Sequence, residues 1–115
     1  MKILFFDDME NRHIKFRQQH SKDEIKSAFT AKQAISILNE HSPFNEVHLD
    51  HDIGGVYMPS DKNSGLAVAE YISNMEKYKI PDKVIIHSLN KKGAEKMYAK
   101  LEEANINVEY SPFSQ

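Results

Sequence analysis

Two short apolar runs in this chain end in acids. Lys2-Ile3-Leu4-Phe5-Phe6 is followed by Asp7-Asp8, and Val47-His48-Leu49 by Asp50-His51-Asp52. Each run is too short for a helix and rich in β-forming side chains, so each reads as a buried strand. In a parallel α/β sheet the carboxyl ends of the strands share one edge, where ligands bind. Carboxylates brought there from neighbouring strands repel one another and call for a hard divalent cation with oxygen ligands. Asp7, Asp8, Asp50 and Asp52 are therefore candidate ligands of an ion of the Mg²⁺ type. A lone Asp after a strand more often caps a helix or forms a turn. Four acids in two matching places carry more, although Asp52 equally serves to cap the Gly54-Gly55 turn.

The elements that must position these acids alternate between strand and helix. Strands are expected at residues 2–6, 24–29, 46–50, 83–86 and 106–110, and helices at 9–20, 31–41, 66–78 and 91–104. Thr30 is the expected N-cap of the second helix, where Ala34, Ile35 and Leu38 recur at helical spacing. Ser42-Pro43 ends it. The third strand is followed by a long loop over residues 52–64, a candidate functional lid. The β-α order gives a single domain with a parallel sheet and helices on both faces.

Bulk properties narrow the function classes. The chain has 115 residues, enough for a single core, and a net charge of −2, so no global basic field draws it to nucleic acid or membrane. DNA sequence recognition is not expected. With no cysteine there is no disulfide framework, thiol nucleophile or zinc–thiolate site. No apolar run reaches membrane-spanning length and the first strand begins at once, so a cytoplasmic location is expected. Of the six histidines, His20 and His41 fall near expected helix C-termini, where a cation is favourable. His48 alternates with Leu49 and is expected to pack beneath a helix on the opposite face.

The element order, the paired acid after the first strand and the Asp after the third resemble the receiver domain of two-component response regulators. That resemblance implies a flavodoxin/CheY-like doubly wound sheet of strand order 2-1-3-4-5, with Asp7, Asp8 and Asp50 binding Mg²⁺. It also implies a phosphoryl group on Asp50 and Ser88 as the hydroxyl closing the fourth strand. The chain departs from it in three ways. Ser111 stands where those receivers have a Lys before a proline, here Pro112. Too little chain follows Pro112 for a fifth helix. Histidines are added at His51 and His87.

With those departures the chain resembles the cyclic-phosphate processing receiver domains. The stretches that carry this are Leu49-Asp50-His51-Asp52-Ile53-Gly54-Gly55, Asn63-Ser64-Gly65, and Ile86-His87-Ser88-Leu89-Asn90 with Gly93-Ala94 and Met97. The resemblance implies a metal-dependent phosphate site acting on RNA 2′,3′-cyclic phosphate ends or cyclic nucleotides.

Within that reading His51 and His87 are the candidate general acid and base, since imidazole titrates near neutral pH. The plainer alternative for His87 is a satisfied histidine at the sheet edge. Ser64 opens a helix whose free N–H groups suit phosphate, or is an ordinary N-cap. Ser88 and Asn90 can bind phosphate oxygens, while Asn90 can equally cap the fourth helix. Arg12, Lys91 and Lys92 can steer a polyanion at this edge, although most surface charges are only solvated.

The leading expectation is a Mg²⁺- or Mn²⁺-dependent phosphoesterase in which Asp8 and Asp50 hold the ion and Asp7 bonds through its water. Asp50 as a nucleophile is the variant of it. The alternatives are a non-catalytic module binding a nucleotide or protein, and a degenerate phosphoaccepting receiver, against which the missing Lys argues. A Toprim-like nuclease also carries an Asp-x-Asp but expects a Glu after its first strand, where this chain has Asp7-Asp8.

Overall fold

The computed structural model describes residues 1–50 and 64–112. Its strands are β1 (Lys2–Phe6), β2 (Glu24–Ala28), β3 (Glu46–Leu49), β4 (Lys83–Ile86) and β5 (Val108–Tyr110). All pairings are parallel, and the sheet runs β2-β1-β3-β4-β5. The helices are α1 (Glu10–Gln19), α2 (Ala31–His41), α3 (Gly65–Ser73) and α4 (Lys91–Glu103). The expected five-stranded order and four helices are thus both present, and no helix follows β5 among the described residues. Nor is any described helix long and apolar enough to cross a membrane.

Side-chain alternation divides the sheet into two unlike faces. Leu4, Phe6, Val47, Leu49, Val84 and Ile86 point to one side, where Leu38, Ile72 and Leu101 of α2, α3 and α4 close a largely aliphatic core. Ile3 and Phe5 point to the other, where they meet Phe16 of α1 with Ile25 beside them.

Caps set the helix ends. The Thr30 hydroxyl accepts from Gln33 N–H at 3.1 Å, as its position predicts, and the Gln33 side chain returns a bond to Phe29 N–H at 2.8 Å. At the end of α4, Asn105 takes φ 61°. Its N–H donates to Glu102 O and that of Ile106 to Leu101 O, a Schellman closure in which Asn replaces the usual Gly. Ile106 is consumed by this cap, which is why β5 starts at Val108 and not at the expected residue 106.

The third helix also ends early, at Ser73 instead of residue 78. The Ser73 hydroxyl donates to Ala69 O at 2.8 Å and the Asn74 amide to Glu70 O at 2.9 Å, so side chains compete for the last carbonyls. A 3₁₀ turn over Lys77–Lys79 then leads to Pro81.

Candidate active site

Three backbone bonds extend the sheet ladder one residue past the strands. Asp7 N–H donates to Ala28 O, Asp50 N–H to Phe6 O and His87 N–H to Leu49 O, at 3.1, 3.1 and 2.9 Å. Asp7, Asp50 and His87 are thereby held side by side at the carboxyl edge, the place where α/β sheets bind ligands. All three are buried, and one ligand atom from each lies within 4.8 Å of the others.

Strand alternation explains the partners. Asp7 is two residues beyond Phe5 and His87 two beyond Ile85, so both continue the face that meets α1. There the His87 ring stacks on Phe5, with centroids 5.0 Å apart and planes at 7°. His87 Nε2 lies 2.9 Å from Asp7 Oδ2. The other Asp7 oxygen accepts from Met9 N–H at 2.8 Å, which fixes the turn into α1. From α1, Arg12 Nη1 donates to Asp7 Oδ2 at 3.1 Å and stands 3.8 Å from Asp50 Oδ2. His13, one residue on, places Nε2 2.7 Å from Asp7 O, and a carbonyl can only accept, so this nitrogen carries the proton.

Burial works to raise the Asp7 pKa, but bonds from His87 and Met9 and the Arg12 guanidinium outweigh it and leave it below the usual carboxylate value. Burial lowers that of His13, against its bond to Asp7 O. It lowers that of His48 to about 4, although Glu46 lies 3.0 Å away. As its alternation predicts, His48 lies under α1, edge-on to Phe16 at 4.7 Å.

A cleft of about 230 Å³ opens beside the acids, lined by Asp8, Arg12, Asp50, Ser88 and Asn90 among others. The structure therefore groups Asp7, not Asp8, with Asp50, while Asp8 borders the cleft. Ser88 is buried, and its hydroxyl accepts from Asn90 N–H at 3.0 Å, which leaves an O–H to donate. Tyr110 fixes the Ser88 carbonyl at 3.0 Å. Asn90 caps α4, its side-chain oxygen accepting from Gly93 N–H at 3.0 Å.

Ser64 is fully buried at the start of α3. It does not belong to the cleft lining. Its neighbour Gly65, in the Asn63-Ser64-Gly65 stretch, has a steric role: a Cβ there would sit 1.9 Å from the Asp50 carbonyl oxygen. The helix start is thus pressed against the residue that ends β3. His51 and Asp52 lie outside the described residues, as does the loop over 52–63. Ser111 donates its backbone N–H to Ile86 O at 2.8 Å, so a neutral residue occupies the edge position where receivers carry the Lys.

The donor set fits a metal ion: two carboxylates offer hard oxygens, and His87 adds a nitrogen of the kind that Mn²⁺ and its neighbours accept more readily than Mg²⁺ does.

Solved structures with this fold include the CheY-like receiver domain from Methylobacillus flagellatus. It has a TM-score of 0.70 at 14% identity, and the match covers 100% of this chain and 87% of that one. Response regulator TrrA from Thermotoga maritima, solved in complex with Mg(2+)-BeF, has a TM-score of 0.65 at 25% identity, covering 98% and 86%. The N-terminal domain of a response regulator/sensory box/GGDEF protein from Carboxydothermus hydrogenoformans has a TM-score of 0.66 at 15% identity, covering 96% and 78%. No curated protein sequence matches this chain. The model of the cyclic-phosphate processing receiver domain matches residues 2–103, nearly the whole chain. With the receiver fold and the acid pair at its carboxyl edge, that match makes this chain a member of the cyclic-phosphate processing receiver domain family.

Proposed function

We propose that this domain is a Mn²⁺- or Mg²⁺-dependent phosphoesterase that opens a cyclic phosphate, on an RNA 2′,3′-cyclic end or on a cyclic nucleotide. The observation that carries the reading is the convergence of Asp7, Asp50 and His87 within 4.8 Å, next to a cleft bordered by Ser88 and Asn90. Membership of the cyclic-phosphate processing family supports it. When bound, the ion neutralises phosphate charge and acidifies a water.

The chain's own residues divide the remaining work. Asp7 and Asp50 provide the anionic ligands. His87 Nε2 holds Asp7 at 2.9 Å, fixing the carboxylate plane, and its imidazole, buried beside the two acids, is the first candidate proton carrier. The Ser88 hydroxyl and the Asn90 amide donate to phosphoryl oxygens. In the reaction a water oxygen adds to phosphorus and one ring P–O bond breaks. The released ribose oxygen takes a proton, and His51, adjacent to Asp50 in sequence, is the second candidate to supply or remove it.

The test is turnover of 2′,3′-cyclic phosphate RNA ends and of cyclic mono- and dinucleotides, with Mn²⁺, Mg²⁺ or EDTA. Ring opening that needs metal is the expected result. Asp50→Asn, which removes an anionic ligand, should lower kcat/KM by more than about 100-fold, and His87→Ala, which removes the partner that orients Asp7, by about 10–100-fold. Metal-dependent binding of one ligand without turnover would replace the enzyme by a binding module.

A second reading has one specific support, the TrrA structure with Mg(2+)-BeF at 25% identity. In it Asp50 accepts a phosphoryl group. Incubation with a small phosphodonor would then yield a hydroxylamine-labile adduct on wild type and none on Asp50→Asn.

A further inference from the structure

Arg12 pairs with the two acids that would hold a metal ion. Its Nη1 lies 3.1 Å from Asp7 Oδ2 and 3.8 Å from Asp50 Oδ2, and it is only 13% exposed. Asp7 Oδ2 is also the oxygen that His87 Nε2 meets at 2.9 Å. A divalent cation that takes Asp7 and Asp50 as ligands therefore competes with a guanidinium already paired to them. The two cations repel at this distance, and burial strengthens that repulsion. Arg12 borders the cleft, and it is the one cationic side chain among the described residues that line it. A guanidinium presents paired N–H donors that match phosphate oxygens. Ser111, at the edge position of the receiver Lys, brings no charge.

We propose that Arg12 is an exchangeable counter-ion: it neutralises Asp7 and Asp50 before metal enters, and then turns into the cleft to bind the phosphoryl group. The inference rests on the reading that Asp7 and Asp50 hold a metal. It makes phosphate affinity depend on metal, because the same ion that frees the guanidinium also leaves the site short of negative charge. A fixed structural ion pair would behave otherwise, since its loss would weaken the fold and leave the metal–phosphate balance alone.

The experiment titrates the full chain with Mn²⁺, read by electron paramagnetic resonance. It is then titrated with inorganic phosphate at saturating Mn²⁺. Wild type, Arg12→Met and Arg12→Lys are compared, each first checked for cooperative unfolding. Arg12→Met should bind Mn²⁺ about 10-fold more tightly and phosphate at least about 10-fold more weakly. Arg12→Lys should hold Mn²⁺ near wild type and bind phosphate at an intermediate strength, and it carries the comparison should the methionine variant fail to fold. Unchanged or weaker Mn²⁺ binding in Arg12→Met overturns the exchange, as does unchanged phosphate binding. Absence of Mn²⁺ binding in wild type and both variants overturns the metal reading itself, which separates the two failures.

Discussion

The two faces of the sheet solve the same burial problem with different chemistry. Beneath α2, α3 and α4 the contacts are mostly aliphatic, with Phe6 and Phe44 among them: Leu38, Val47, Leu49, Val68, Ile72, Ile86 and Leu101 are all fully buried and carry no group that titrates. Beneath α1 the packing is made of rings. Phe5 stacks on Phe16 at 4.2 Å and on His87 at 5.0 Å, His13 stacks on Phe29 at 4.0 Å, and Phe16 also meets His20 and His48. The first face holds the fold and is indifferent to pH. The second face continues directly into Asp7 and His87, so the packing that supports the site includes ionisable groups. Stability and chemistry are thus assigned to opposite sides of one sheet.

The strongest way to break this division is on the aliphatic side. Leu38→Ala should lower the unfolding free energy by about 3–4 kcal/mol, within the range for buried Leu. The loss should be the same at pH 7.5 and pH 5.0, as measured by urea unfolding. A marked pH dependence of that loss would mean that the two faces are coupled. Gly65→Ala should follow at about 3 kcal/mol, the upper end of ordinary overpacking, because the new Cβ meets the Asp50 backbone oxygen at 1.9 Å and Met97 Cε at 2.9 Å. Unlike Leu38→Ala, it should also weaken Mn²⁺ binding, since the atoms that must shift belong to Asp50. Mn²⁺ binding unchanged in a destabilised Gly65→Ala would mean that the strand end moves without its carboxylate.

The difference between the faces also decides what the sequence could convey. The strands, the Thr30 cap and the burial of His48 follow from alternation and capping, which are local. The same alternation, counted from Phe5 and Ile85, carries Asp7 and His87 to one face. The identity of the paired acid is not local in this way. Asp7 joins the group and Asp8 borders the cleft because His87, Arg12 and Met9 N–H all converge on Asp7 from separate elements. Arg12 was legible only as a charge near the edge, since its pairing depends on where α1 starts. Gly65 stood out in the Asn63-Ser64-Gly65 stretch, but the reason for it, a tertiary approach to Asp50, is not local. Ser111 in place of the Lys was plain from sequence, and its backbone bond to Ile86 adds only its location. His51 and Asp52 lie outside the described residues.

The ring side should reveal itself by pH. Burial holds the His48 pKa near 4, against about 6.5 in the unfolded chain. Between those values the unfolded state binds the proton and the native state does not. His48 therefore supports the fold fully above about pH 6.5 and progressively less as pH falls towards 4. The full difference amounts to about 3 kcal/mol, most of it lost by pH 4.5. His13, lowered mainly by burial, adds a loss of the same sign below its unfolded value. Asp7, whose pKa is depressed, supports the fold fully above about pH 4 and loses that support only as pH falls further. Urea unfolding of wild type and His48→Gln at pH 7.5 and 4.5 should therefore show a gap that narrows by about 2–3 kcal/mol at the lower pH. A gap of constant size would mean that His48 is not held neutral, and the contrast between the faces would rest on shape alone.

The smallest effect tests the far end of the same face, beyond the reach of α1. There charged residues dominate that side: Glu46 pairs in register with Lys83, and Glu109 lies opposite Ile85. Lys83 Nζ lies 3.2 Å from Glu109 Oε1, and Glu109 is half exposed. A pair in that setting gains little Coulomb energy and loses side-chain entropy, so Lys83→Ala should change stability by at most a few tenths of a kcal/mol. Raising salt to 1 M should erase even that difference, since the screening length falls to about 3 Å. A loss above about 1 kcal/mol would show that this end is not a solvated margin but a packed continuation of the ring side. The division of labour between the faces would then run across the whole sheet, and not only over the strands that α1 covers.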